Sequence, residues 1–75
     1  MNLSKETIIN ADFKGLNLSE INFTGATLIT CDFQNANLTE AIFNGATLTA
    51  CNFTGATLTN ASFEDSNITD CIGLS

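Results

Sequence analysis

Ala26-Thr27-Leu28-Ile29-Thr30-Cys31-Asp32-Phe33-Gln34-Asn35-Ala36-Asn37-Leu38-Thr39-Glu40 sets a large apolar residue at every fifth position, Leu28, Phe33 and Leu38. Two places before each stands a small one, Ala26, Cys31 and Ala36. Extended both ways, the step of five runs unbroken from Leu3 and Ile8 through Phe13, Leu18 and Phe23 to Phe63 and Ile68. On a helix such a step lands about 140° away, and on a strand it lands on the opposite face. Neither element buries this column. A chain that turns a corner every five residues does bury it, by sending one large side chain per unit towards a shared axis, which is a solenoid.

The remaining positions of the unit agree. The residue before the centre is polar at Asp12, Asn17, Asn22, Asp32, Asn37 and Asn67, with Ile42 an exception, and is expected to face water or bond the backbone. Leu16 and Ile21 depart from the small residue expected two places before the centre. Two places after it, Gly15, Gly25, Asn35, Gly45, Gly55, Asn60, Asp65 and Asp70 supply residues that turn readily, so corners are expected there. Phe and Leu/Ile alternate along much of the central column, and Cys31, Cys51 and Cys71 recur at twenty.

The units Ala11-Asp12-Phe13-Lys14-Gly15, Ala36-Asn37-Leu38-Thr39-Glu40 and Ala26-Thr27-Leu28 resemble the A(D/N)LxX unit of pentapeptide-repeat proteins, over residues 11–70. The resemblance implies an all-β, right-handed quadrilateral β-helix with four units per coil. The expected organisation is one domain over residues 1–75, with a repeat core of about 6–70 and about 3 to 3.5 coils. With four units per coil, Phe13, Phe33 and Phe53 stack on one side and Phe23, Phe43 and Phe63 on the opposite side.

Composition narrows the function. Leu, Ile and Phe make up 21 of 75 residues, enough for a core, while the chain holds 2 Lys and no Arg against 8 Asp and Glu, for a net charge of −6. With no His, Tyr or Trp the usual general base and metal ligand are missing, so neither an enzyme, a cofactor nor a metal site is expected. Two cations capture nucleic acid poorly. No basic and apolar leader pattern stands at residues 1–10, and no apolar run is long enough to span a membrane, so cytoplasmic localisation is the expectation. Three cysteines fit reduced, buried thiols in a reducing compartment, with Cys71 the most reactive. The Asn-x-Ser/Thr triplets fall out of the repeat and are not read as glycosylation sites.

Three surfaces compete as sites. Asp12 and Asp32 form one outward column, and Glu20 and Glu40 a corner column on the neighbouring side, as an acidic wall. In the resembling family, members protecting bacteria from quinolones are read as DNA mimics bound by DNA gyrase, which makes that the alternative function. At about 4.8 Å per coil the rod spans about 17 Å, or about 5 base pairs. The uncharged face with Thr27, Ile29, Thr47 and Thr49 is the candidate protein-binding surface. It also resembles the Thr-x-Thr ladders of β-helical antifreeze proteins, which makes ice binding a further alternative. The third surface is the open coil ends, where end-to-end association with a second copy or another repeat protein is expected. The leading expectation is a non-catalytic, rigid structural or interaction scaffold.

Overall fold

In a computed structural model, residues 1–74 are described. Four short strands, β1 (Thr7–Ile9), β2 (Thr27–Ile29), β3 (Thr47–Thr49) and β4 (Asn67–Thr69), form one parallel sheet in the order β1-β2-β3-β4. Every pairing joins a residue to the one twenty later, Leu28 to Leu48 for example. On the other three sides single bridges keep the same step, as in Asn2 to Asn22, Asp12 to Asp32 and Asn17 to Asn37. One coil is therefore 20 residues and four sides, a right-handed quadrilateral β-helix. The sides are lettered here by their first bridge or strand: A from Asn2, B from Thr7, C from Asp12 and D from Asn17. The ladder runs from Asn2 to Ile72, about three and a half coils of twenty residues.

Each corner lies at a residue of positive φ, and these recur every fifth position from Lys5 (63°) and Asn10 (60°) to Asp70 (58°). On sides A, C and D a four-residue turn closes the corner, as in Ala36 N–H to Phe33 C=O at 3.1 Å and Ala41 N–H to Leu38 C=O at 3.0 Å. At Asn2, Asp12, Asn17, Asn22, Asp32, Asn37 and Asn52 the polar residue before the centre holds that turn. Asn37 Oδ1 accepts the Thr39 amide at 3.1 Å, and Asn52 Oδ1 accepts that of Thr54 at 3.0 Å. Ile42 cannot do this, and Asn44 of the same unit reaches instead to the next coil, where its Oδ1 accepts the Glu64 amide at 3.0 Å.

The interior is two facing phenylalanine ladders. Phe13, Phe33 and Phe53 stack at 4.9 and 4.8 Å on side C, and Phe23, Phe43 and Phe63 at 5.2 and 4.7 Å on side A. Across the axis the ladders meet edge to face, Phe33 to Phe43 at 6.2 Å and 87°. Phe23, Phe33, Phe43 and Phe53 are fully buried, with Leu28, Leu38 and Leu48 closing the other two sides. The large residues at the small position behave differently from each other. Ile21 is fully buried, whereas Leu16 is 48% exposed on the first coil.

The pentad fails at Gly73, where a central apolar residue falls due. Its φ is 85°, and a Cβ there would collide with the backbone of Phe53 and Thr54. The glycine lets the chain press onto the coil above, and Leu74, one place late, packs against the core.

Candidate functional site

No pocket opens on the surface of the described residues, so candidate chemistry is confined to outward columns. Among these residues no cluster of metal-ligating side chains occurs, and no helix is long and apolar enough to cross a membrane.

Among the described residues side B alone is built of continuous strands, and alternation sends Leu28 and Leu48 inward while Thr27, Ile29, Thr47 and Thr49 face out, half-buried by their neighbours. The in-register pairs Thr27 to Thr47 and Ile29 to Thr49 align these into two columns, continued by Thr7 and Ile9 in β1 and by Asn67 and Thr69 in β4. Both columns are uncharged, and Ile9 is 58% exposed. The Thr-x-Thr pattern is complete only in β3, since Ile9, Ile29 and Asn67 interrupt it.

The acidic residues are arranged differently. Asp12 and Asp32 do form one column on side C, paired across coils. Their carboxylates are engaged in the fold: Asp12 Oδ1 accepts the Lys14 amide and Asp32 Oδ1 that of Gln34, each at 3.0 Å. Asp32 also accepts from the Gln34 side chain at 3.1 Å and pairs with Lys14 Nζ at 3.9 Å. Glu20 and Glu40 occupy corners at φ 63° and 60° on the far edge of side D, exposed. All of side D, with its Asn17, Asn37 and Thr57 row, separates them from the aspartates. Asp12 and Asp32, which hold turns, and Glu20 and Glu40 therefore stand in two columns on different edges, not in one contiguous strip.

The cysteine column is internal. Cys31 and Cys51 are each 1% exposed, and all three thiols are free. Each Sγ faces two carbonyl oxygens, Leu28 at 3.3 Å and Thr49 at 3.6 Å for Cys51. Burial pushes the Cys51 thiol up to about 12, so at neutral pH it is a packed, unreactive hydrophobe. Cys71, on the last coil, is only part-buried.

A four-sided parallel β-helix with twenty-residue coils, inward apolar centres and side chains that hold corners defines a solenoid class. The pentapeptide repeats family model matches eight copies of the unit over residues 8–45 and 31–70, and the chain belongs to that family. No curated protein matches it. Among solved structures it is similar to HetL, a pentapeptide repeat protein involved in heterocyst differentiation regulation from the cyanobacterium Nostoc sp. strain PCC 7120. The TM-score is 0.83 at 28% identity, over 88% of this chain and 31% of that one. A pentapeptide repeat protein of the cyanobacterium Cyanothece 51142 superposes with a TM-score of 0.76 at 20% identity, over 95% and 63% of the two chains. One from the Arabidopsis thaliana thylakoid lumen gives 0.53 at 34% identity, over 93% and 59%. The chain thus spans between about a third and two thirds of these neighbours.

Proposed function

We propose that this chain is a rigid, non-catalytic interaction module that docks a protein partner through side B. The observation that carries the reading is the four-stranded, uncharged, in-register surface around Thr27, Ile29, Thr47 and Thr49. A flat sheet held by ladder bonds on both flanks is pre-ordered, so docking on it costs little conformational entropy. The aspartate column, by contrast, is committed to holding its own turns. The buried, free thiols fit a reducing compartment such as the cytoplasm.

The test is capture of partners from host lysate with three baits: the wild type, Thr27→Lys/Thr47→Lys, and a bait with Asp12, Asp32, Glu20 and Glu40 neutralised to amides. Side-B docking predicts that the first and third baits retain the same partner and the second loses it. Loss on neutralising the acids, with inhibition of supercoiling by purified DNA gyrase, would favour the duplex-mimic reading instead.

A further inference from the structure

Among the asparagines of the sequence, Asn44 alone is followed by glycine. An Asn-Gly pair carries its own reaction. The glycine nitrogen can attack the asparagine Cγ and close a five-membered imide, and with no Cβ on the following residue nothing crowds that approach. In this fold both reacting groups are engaged by the backbone of one residue on the next coil. Asn44 Oδ1 accepts the Glu64 amide at 3.0 Å, and the Gly45 amide donates to the Glu64 carbonyl at 2.8 Å. Ser62 Oγ donates to the same Oδ1 at 2.6 Å, and the Asn44 carbonyl accepts the Gly25 amide of the coil before at 2.9 Å. The pair is therefore tied to both neighbouring coils, with Asn44 half-buried between them. Donors on Oδ1 polarise Cγ. The attacking nitrogen, however, must first give up its proton, and that proton is the one that bonds Glu64, so imide and ladder bond exclude each other.

We propose that Asn44-Gly45 is a self-modification site that the coil ladder keeps closed and that coil opening releases. Once the bonds to Glu64 open, hydroxide takes the Gly45 amide proton and the nitrogen bonds to Cγ. The bond from Cγ to Nδ2 breaks, and Nδ2 leaves as ammonia with a proton from water. Water then adds to the imide. Cleavage between nitrogen and Cγ gives an ordinary aspartate, and cleavage between nitrogen and the former main-chain carbonyl gives an iso-aspartate. The two products differ in this fold. Aspartate keeps an acceptor oxygen for Ser62 and for the Glu64 amide and leaves the main chain as it was. Iso-aspartate routes the main chain through Cβ and Cγ, one atom longer, and turns the carbonyl that accepted Gly25 into a free carboxylate. Strands and bridges alike pair residues exactly twenty apart. An extra main-chain atom at the corner just before β3 therefore breaks the register of Thr47–Thr49 against β2 and β4. The modification is a one-way mark of coil opening, and its iso-aspartate branch removes β3 from side B.

The test follows conversion of amide to acid by mass spectrometry of the full chain at mildly alkaline pH, with aspartate and iso-aspartate peptides separated by chromatography. In denaturant, conversion is fast and falls on Asn44 first. In native buffer it is slower by at least about tenfold, because only the opened fraction reacts. Phe43→Ala loosens the same coil; it raises the native rate by at least about tenfold and leaves the rate in denaturant unchanged. After dilution from denaturant, aspartate chains melt as a recombinant Asn44→Asp variant does, whereas iso-aspartate chains fail to recover the wild-type melting temperature. Equal rates in native buffer and denaturant overturn the proposal, as does faster conversion at another asparagine. So does an iso-aspartate chain that refolds with the wild-type melting temperature.

Discussion

Replacing Phe43 by Ala removes the middle ring of the side-A ladder. Phe43 is fully buried, stacked 5.2 Å from Phe23 and 4.7 Å from Phe63, with the Phe33 and Phe53 rings meeting it edge to face at 6.2 and 5.9 Å. Coils above and below are tied to this one by backbone bonds on all four sides, so the cavity cannot collapse and the full cost for a buried ring, about 3–5 kcal/mol, is expected. That is a large share of the about 5–15 kcal/mol total stability of a small domain. At roughly 4–8 °C per kcal/mol for this chain length, the melting temperature falls by at least about 12 °C. Thermal melting by circular dichroism, with Thr54→Ala as the exposed control from the same coil, reads the difference. The Thr54 hydroxyl donates one exposed 2.7 Å bond to Asn52 Oδ1, and its loss costs about 0.5 kcal/mol or less. If the two variants melted within a degree or two of each other, the ladder would not be what holds the coils together.

Three further outcomes follow from the same structure. In native buffer a thiol reagent is expected to label Cys71 first, and Cys31 and Cys51 only once denaturant opens the core; equal, fast labelling of all three contradicts the inward column. Because the folded Cys51 thiol is pushed up to about 12 from an ordinary 9.0, its contribution is complete below about pH 9 and declines as pH rises towards 12. The decline approaches about 1.4 kcal/mol per pH unit, and denaturant titrations should show Cys51→Ala removing most of that slope. Ala50 holds φ at 55°, a conformation that Cβ disfavours, so Ala50→Gly is expected to raise stability by about 0.5–1 kcal/mol in urea unfolding, and a loss would mean the corner is not strained.

The step of five between large apolar residues is enough to read a solenoid with an inward central column, whereas the two ring ladders need four units per coil, which the resemblance to pentapeptide-repeat proteins implies and the pairing of each residue with the one twenty later bears out. The corners were only partly legible. Gly25 and Asn35 announce positive φ, but Lys5, Glu20, Thr30, Glu40 and Ala50 adopt it too, at 63°, 63°, 50°, 60° and 55°. Their own preferences do not favour it; the ladder bonds of neighbouring coils impose it. Thr30 lies between Asn10 and Ala50 in such a column, and its hydroxyl bonds to Asn10 Oδ1 and to the Ile29 carbonyl. The aspartates show a similar limit. A polar residue before the centre either faces water or bonds the backbone, and only the Asp12 and Asp32 contacts decide that the backbone engages them. Leu74 could not be placed from the pattern, since its packing depends on Gly73 leaving the pentad register.

The most direct test of side-B docking is the affinity of a partner captured by the wild-type chain, measured by titration calorimetry against three forms. Side-B docking predicts that Thr27→Lys/Thr47→Lys weakens binding by at least about tenfold, as charge on a desolvated contact costs more than about 1.4 kcal/mol. The form with Asp12, Asp32, Glu20 and Glu40 neutralised should bind as the wild type does. Unchanged affinity in the lysine variant, with loss in the neutralised form, would place the binding surface on the acidic columns and contradict the account.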